Sequence, residues 1–139
     1  MIEEILYNKI IDVLPILCVD GFIIKDSKIL LLKRNNYPAF GEWWVPGGRV
    51  LKNETLNSAI IRKIKDELNL EAQVIKQIGI TETIFEKKHT VNICFEININ
   101  YFNNLCLNSE HSEFSWFSLN DLPILNKQLK NIIKLWQQQ

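Results

Sequence analysis

The stretch from Gly47 to Leu70 carries residue types that are able to do chemistry at a useful spacing. It opens with a pair of glycines and contains two adjacent carboxylates, Asp66 and Glu67, shortly after Arg62. If the segment is helical, positions 63, 66 and 67 lie on one face, because side chains three and four residues apart are neighbours. Carboxylates are the hard oxygen ligands that suit Mg²⁺. The stretch therefore predicts a metal-binding patch on a helix, with Lys63 inside the patch.

The same residues also fit a plainer interpretation. On a solvent-exposed helix, Lys63 and Glu67 would form an i,i+4 ion pair in the less favourable orientation, worth a few tenths of a kcal/mol. The glycine pair and the spacing from Glu54 to Arg62 favour the metal site.

The stretch resembles the Nudix box, a loop–helix–loop written G-x5-E-x7-R-E-U-x-E-E-x-G-U, in which U is a bulky apolar residue. The spacing of that pattern is kept from Gly48 through Glu67. Three positions depart from it, with Lys63 and Asp66 in place of glutamates and Asn69 in place of a glycine. The resemblance implies a helix that holds Mg²⁺ against a diphosphate, with fewer ions than a full set of carboxylates would hold.

A longer tract narrows the resemblance to one branch of that family. Residues 30–56 read LLLKRNNYPAFGEWWVPGGRVLKNETL, which is similar to the tract KR-x-x-x-PA-x-G-x-W-x-VPGGRV of the GDP-mannose mannosyl hydrolases. Glu110 and His111, followed by Trp116, resemble the Gln-His pair and the tryptophan of that branch. The branch attacks the anomeric carbon of the sugar and releases GDP, whereas most Nudix enzymes split the diphosphate.

The resemblance assigns roles to residues by position. Mg²⁺ would be bound by the backbone carbonyl of Gly47 and by the side chains of Glu67 and Glu110. Arg34 and Arg49 would bind the diphosphate and neutralise the charge that grows on it as it leaves. Arginine suits this task because its rigid guanidinium donates two parallel hydrogen bonds to phosphate oxygens.

His111 is the candidate general base. Neutral imidazole, with an ordinary pKa near 6.5, is able to accept a proton from water at neutral pH, and we expect His111 in a polar loop. Asp20 matches a branch carboxylate near the sugar, although from the residues alone a buried capping carboxylate is an equally good interpretation. The other box positions are structural, with the arginine expected to orient carboxylates rather than touch substrate: Gly48, Glu54, Arg62 and Asp66.

Hydrophobic periodicity predicts a helix, two strands, the box helix, further strands and a closing helix. The predicted elements are a helix over 2–13, strands over 16–24 and 28–34 with a turn at 26–27, the box helix over 54–68 capped by Asn53, strands over 72–86, 89–102 and 114–117, and a helix around 129–136. Periodicity alone indicates only a mixed α and β class. The resemblance implies an α/β fold, a Nudix-type α/β sandwich with a mixed β-sheet between helices, as one domain over residues 1–139.

The composition argues against several classes of function. The formal net charge is zero, with 16 basic and 16 acidic residues, which leaves no electrostatic footprint for nucleic acid or an anionic membrane. No apolar run approaches the roughly 18 residues that span a bilayer, and the acidic start is not a secretory signal, so we expect a cytoplasmic protein. Three cysteines without C-x-x-C spacing predict reduced core thiols: Cys18, Cys94 and Cys106.

Three functions remain open on the sequence. The first is Mg²⁺-dependent hydrolysis of a nucleotide sugar, GDP-mannose or GDP-glucose, at the anomeric carbon. The second is a Nudix pyrophosphohydrolase that cuts the P–O–P bridge of a nucleoside diphosphate derivative, against which Lys63 counts. The third is a degenerate nucleotide-binding module without activity, which the presence of Glu67 and His111 disfavours. The resemblance also implies a homodimer.

Overall fold

The computed structural model describes residues 2–36 and 39–139. Tyr37 and Pro38, which fall in the tract that narrows the resemblance, lie outside the described residues. The helices and strands are α1 (Glu4–Val13), β1 (Ile16–Lys25), β2 (Lys28–Arg34), β3 (Trp43–Trp44), β4 (Gly47–Arg49), α2 (Leu56–Leu68), β5 (Ala72–Phe85), β6 (Lys88–Ile99), β7 (His111–Ser118) and α3 (Lys127–Gln137).

One mixed sheet of seven strands organises the chain, and β1 lies at its centre. The main path runs β3-β2-β1-β6-β5, while β4 pairs with β1 and β7 pairs with β2. β1 is parallel to β6 over eight residue pairs and antiparallel to β2 and β4. Its residues from Cys18 to Ile23 are all buried, as expected for a strand covered on both faces.

Two hydrophobic layers cover the sheet, because successive strand residues point to opposite faces. Ile23 and Leu30 join a cluster with the apolar stripe of α2, and Phe22 and Ile29 join a second cluster with the apolar stripe of α3. The helices therefore lie on opposite faces, and the predicted α/β sandwich is confirmed. The two stripes consist of Ala59, Ile60, Ile64 and Leu68 in α2, and of Leu129, Ile132 and Ile133 in α3.

The box helix α2 starts later than predicted and uses another cap. Thr55, not Asn53, is its N-cap, and the Thr55 hydroxyl oxygen accepts a hydrogen bond from the Ser58 amide at 3.1 Å. Asn53 instead adopts a left-handed conformation with φ of 68°. At the other end Asn69 ends the helix with φ of 58°. Asparagine tolerates this conformation better than other non-glycine residues, which explains how it replaces the glycine of the box.

The strands differ from the prediction in two places. β3 and β4, with two and three residues, were not predicted, because they are held by pairing to β2 and β1 rather than by a pattern of their own. The strand predicted over 114–117 begins at His111, since β7 pairs with β2 back to Arg34. The tight turn at 26–27 is confirmed, with φ of 52° at Asp26 and 61° at Ser27.

The first helix and the cysteines differ in how far the structure buries them. α1 forms near the predicted position, but none of its residues is buried. Cys18 and Cys94 are buried free thiols, whereas Cys106 is exposed, so its prediction as a core thiol was wrong. Among the described residues, no helix combines the length and the apolar character needed to cross a membrane.

Candidate active site

The site is built around Gly47, at the start of β4. Its amide donates a hydrogen bond of 2.8 Å to Glu67 Oε1, and its backbone pairs with Asp20 across the sheet. A Cβ at this position would lie 2.2 Å from the Val19 carbonyl oxygen and 2.5 Å from Asp20 Oδ1. Only glycine therefore fits here, and it lets two buried carboxylates approach the loop from opposite sides.

Glu67 is the buried carboxylate contributed by the box helix. Only 2% of its side chain is exposed, and burial raises its pKa to about 8, although the nearby Lys63 ammonium and the Gly47 amide lower it. The nearby positive charges offset only part of the effect of burial on this carboxyl group. A bound cation would supply further positive charge and restore the ionised form.

His111 and Glu110 stand against Glu67 because a loop is tied to the end of α2. The Asn108 amide donates to the Glu67 backbone carbonyl at 3.2 Å, and the Glu110 amide donates to Asn108 Oδ1 at 3.1 Å. His111 is buried at the start of β7, with 1% of its side chain exposed, rather than lying in a polar loop as predicted. Burial, followed by the charge of Arg34, lowers the pKa of His111 to about 4, so its imidazole is neutral at pH 7.

These three side chains form a candidate metal centre. One ligand atom each of Glu67, Glu110 and His111 lies within 4.8 Å of the other two. His111 Nδ1 is buried, lies 3.4 Å from Glu67 Oε2, and has no hydrogen-bond partner in the described part of the chain. A buried polar atom without a partner is costly, and a cation between these groups would satisfy it. The donor set of two carboxylates and one neutral imidazole fits a divalent metal.

Arg62 fixes the loop on which the site depends. Its guanidinium binds the Glu54 carboxylate through two contacts, Nε to Oε2 at 2.6 Å and Nη2 to Oε1 at 3.0 Å. The same Nη2 donates to the Arg49 carbonyl at 2.9 Å, and Nη1 lies 3.5 Å from Asp66. Glu54 in turn accepts from the Leu51 amide at 3.0 Å. These contacts position the loop between β4 and α2.

The two arginines expected at the diphosphate lie on different elements. Arg34 ends β2 beside a register shift between Lys33 and Arg34, and its charge lowers the pKa of both Asp20 and Glu67, after burial has raised them. Arg49 ends β4, and its guanidinium carbon stacks 4.6 Å above the ring centroid of Tyr7 from α1. The exposed helix α1 thus has a specific contact with the site.

Asp20 belongs to a buried polar chain on the floor of the site. It accepts a hydrogen bond of 3.0 Å from the Asn92 side-chain amide, and the Thr90 hydroxyl donates to Asn92 Oδ1 at 2.7 Å. Burial raises the pKa of Asp20 to about 7, and the hydrogen bond from Asn92 and the charge of Arg34 offset part of this. Asp20 is therefore a buried carboxyl at the edge of the cleft, and a role near the sugar stays a prediction.

A single cleft of about 1010 Å³ brings these groups together. Its wall includes both arginines, both buried carboxylates, Lys63 and Glu110, and it extends over Tyr7 and the C-terminal end of α1. His111 does not contribute to the wall and lies against Glu67 instead. Of the expected site residues, His111 and Glu54 do not line the cleft, and Glu54 contacts the loop beside it through Arg62 and the Leu51 amide.

Three residues that organise the site had no role predicted from the sequence: Asn92, Asn108 and Tyr7. Asn92 could have been recognised from the sequence, because a polar amide stands out within the apolar run VNICFEI of β6. Asn108 sits in a polar loop and Tyr7 on an amphipathic helix, where nothing in the local pattern distinguishes them. Their contacts join segments far apart in the chain.

Comparison with known proteins gives consistent results. The family model described as NUDIX domain matches residues 15–136. A protein named ADP-ribose pyrophosphatase from Methanocaldococcus jannaschii is 36% identical over 122 residues, which cover 86% of this chain and 72% of that protein. The low-salt glycan biosynthesis protein Agl8 of Haloferax volcanii is 33% identical over 119 residues, covering 80% and 76%. The crystal structure of a MutT NUDIX hydrolase from Burkholderia pseudomallei superposes with a TM-score of 0.81 at 25% identity, covering 88% of this chain and 98% of that one.

Proposed function

Since this chain belongs to the Nudix family, we propose that it is a divalent-metal-dependent hydrolase whose substrate is a nucleoside diphosphate joined to a sugar. The observation that carries the proposal is the composition of the cleft. Arg34, Arg49 and Glu67 line it together with Asp20, whose carboxyl lies on a buried floor of hydrogen-bonding groups. The two arginines and Glu67 suit a diphosphate with its metal, and the hydrogen-bonding groups around Asp20 suit the hydroxyls of a sugar.

The diphosphate would lie between the two arginines. Each guanidinium is able to donate two hydrogen bonds to phosphate oxygens. The stack on Tyr7 orients Arg49, because a cation over an aromatic face is held by the quadrupole of the ring. Arg34 approaches from the end of β2, so the two charges converge on the cleft from separate elements.

The metal would be held by Glu67 and Glu110, with a ring nitrogen of His111 within 4.8 Å of a carboxylate oxygen of each. The backbone carbonyl of Gly47 is a further ligand that the resemblance implies, and the Gly47 amide contacts Glu67. When bound, a divalent ion such as Mg²⁺ neutralises the charge that develops on the phosphate oxygens. The buried Glu67 and the unpartnered imidazole are both features that such an ion would complete.

We place the cleavage at the P–O–P bridge. Two carboxylates, Glu67 and Glu110, line the cleft where the diphosphate would bind, and they are able to hold water beside phosphorus. His111 is 1% exposed and packed against Glu67, so its imidazole is a better metal ligand or positioning group than a base for water near the sugar. The similarity to a protein named ADP-ribose pyrophosphatase supports the same choice, since ADP-ribose is a nucleoside diphosphate joined to a sugar.

Attack at the anomeric carbon of GDP-mannose or GDP-glucose is the second candidate. Two observations favour it: Lys63 reduces the number of carboxylates on the helix, and the Asp20 carboxyl, with a pKa of about 7, lies on the floor beside the expected sugar position. Under this candidate His111 is the general base. His111→Gln would then lower turnover by about 10²–10⁴-fold and leave metal affinity intact, whereas a metal ligand would lose affinity as well.

The metal site is tested by Glu67→Gln, which keeps the shape of the side chain and removes its charge. We expect Mn²⁺ affinity to fall and Mg²⁺-dependent hydrolysis of ADP-ribose and GDP-mannose to drop by orders of magnitude, because the leaving phosphate is no longer neutralised. Glu71→Gln is the matched control, since Glu71 is exposed and pairs only with Lys65 among the described residues. Near-wild-type turnover of Glu67→Gln would contradict the site.

A further inference from the structure

We propose that Lys63 is a phosphate-binding residue of this site, whose ammonium would supply the positive charge that a carboxylate at this box position would supply through a bound divalent ion. The inference rests on the proposed function and goes beyond it, because it assigns a role to the residue that departs most from the box. It implies that this chain binds a diphosphate with one metal ion and one fixed side-chain charge.

The position of Lys63 is set by α2 and by Gly48. Lys63 lies one helical turn before Glu67, and both line the cleft. Its stem crosses the glycine pair so closely that a Cβ at Gly48 would lie 2.5 Å from Lys63 Cε and 3.1 Å from Nζ. The absence of a side chain at Gly48 therefore leaves room for the end of Lys63 beside the loop.

The charge of Lys63 is not consumed by an ion pair. Within residues 2–36 and 39–139, no carboxylate comes within salt-bridge distance of its ammonium, although Glu67 follows it by four residues. The neighbouring cations of the same helix are both paired, Arg62 with Glu54 and Lys65 with Glu71. The charge of Lys63 acts on two residues of the site. It lowers the pKa of Glu67, which burial raises, and it adds to the effect of burial in lowering the pKa of His111.

This chemistry suits a phosphate oxygen. An ammonium is a compact charge with three donors on a flexible stem, and lysine serves as a point-charge ligand of phosphates in other sites. A carboxylate at position 63 would repel a diphosphate unless a metal ion lay between them. Lysine at this position attracts the diphosphate directly and removes the need for that ion.

The test uses methylene diphosphonate, a non-hydrolysable diphosphate without base or sugar, titrated calorimetrically into the full chain at saturating Mg²⁺. Lys63→Met is expected to weaken binding by about tenfold, the effect of one charge-assisted hydrogen bond. Lys63→Arg is expected to retain most of the affinity. Lys65→Met is the matched control, because it removes the same charge from the same helix at an exposed position outside the cleft, and its affinity should equal that of the wild type.

A second readout counts metal ions. Mn²⁺ titration followed by electron paramagnetic resonance should give one ion per diphosphonate complex in the wild type and two in Lys63→Glu, which restores the box carboxylate.

Equal affinities of the wild type and Lys63→Met, equal losses in Lys63→Met and Lys65→Met, or no wild-type binding would each overturn the proposal. A Lys63-dependent complex without hydrolysis of nucleotide sugars would instead refute the proposed function alone, and hydrolysis with Lys63-independent binding would refute only this inference.

Discussion

Asp20 and Glu67 are buried carboxylates on either side of Gly47, and burial raises the pKa of both above the ordinary range. A folded protein bears such groups only where hydrogen bonds or a ligand offset the cost of removing them from water. Asn92 provides one hydrogen bond to Asp20, and the Gly47 amide provides one to Glu67. Carboxyl groups with pKa values raised in this way are typical of functional sites, which agrees with the proposed cation and polar substrate.

The raised pKa of Asp20 predicts a pH-dependent stability. The folded state holds a proton on Asp20 up to about pH 7, whereas the unfolded chain releases it near pH 3.8. The unfolded state therefore binds fewer protons between these values, and the contribution of Asp20 to the free energy of unfolding falls as pH rises through this window. The full effect of a shift of this size is of the order of 4 kcal/mol.

Asp20→Asn removes this titration. In urea unfolding without divalent metal, the variant should gain stability relative to the wild type as pH rises from 5 to 8, by roughly 2–4 kcal/mol. Glu67 is present in both the wild type and Asp20→Asn, so its titration cancels from the difference between their free energies of unfolding. Asp66→Asn is a suitable control, because Asp66 is 53% exposed. Parallel stability profiles for the wild type and Asp20→Asn would show that the carboxyl is not desolvated in the folded protein.

For single residues, the sequence predicted which side chains come together around the cleft, but it did not predict how deeply each side chain is buried. His111 shows the difference. Its neighbours in the run NSEHSE are polar and favour an exposed loop, yet strand pairing with Arg34 and packing on Glu67 bury it. Burial of this kind depends on contacts across the fold, which a local pattern does not contain.

Among the elements, α2 and the loop before it act as one unit. The apolar stripe of α2 packs into the core, and its opposite side presents Lys63 and Glu67 to the cleft. Arg62 joins the helix to the loop through the Glu54 carboxylate and the Arg49 carbonyl. The box spacing encodes this unit, so its register was predictable, whereas the start of the helix was not, because Thr55 and Asn53 are both good caps.

Arg62→Lys tests this coupling between helix and loop. Lysine cannot reproduce a bidentate contact with Glu54 and a bond to the Arg49 carbonyl at once, so the loop that carries Arg49 loses its position. We expect a loss of about 1 kcal/mol in stability, in view of partial exposure, together with a clear rise in KM for the diphosphate substrate. Lys65→Arg, a change of the same kind at an exposed site, should leave both unchanged. An unaltered KM in Arg62→Lys would contradict the positioning role.

On the scale of the whole molecule, apolar patterns predicted most of the helices and long strands, whereas the resemblance supplied their arrangement as a mixed sheet between helices, which is confirmed. The short strands β3 and β4 were not predictable, because pairing to β2 and β1 defines them. The placement of α1 was also beyond the sequence. This helix buries none of its residues, and several of its apolar side chains are more than half exposed: Ile5, Leu6 and Val13.

The homodimer remains a prediction, and the exposed apolar side of α1 is where we expect a second copy to pack. An exposed cluster of this kind is typical of an interaction surface. Sedimentation equilibrium at micromolar concentration should show a dimer of the 16.3 kDa chain. Val13→Lys, at a position that is 75% exposed, should shift the equilibrium to monomer without loss of thermal stability. A wild-type monomer under these conditions would count against the dimer.

The most direct test of the central claim is hydrolysis of ADP-ribose and GDP-mannose with Mg²⁺ in ¹⁸O-labelled water, followed by ³¹P NMR and mass spectrometry of the products. Cleavage at the diphosphate by groups around Glu67 and Glu110 predicts a nucleoside monophosphate and a sugar phosphate, with the label in one of the two phosphate groups. For GDP-mannose, unlabelled GDP together with labelled mannose would contradict this account and establish attack at the anomeric carbon.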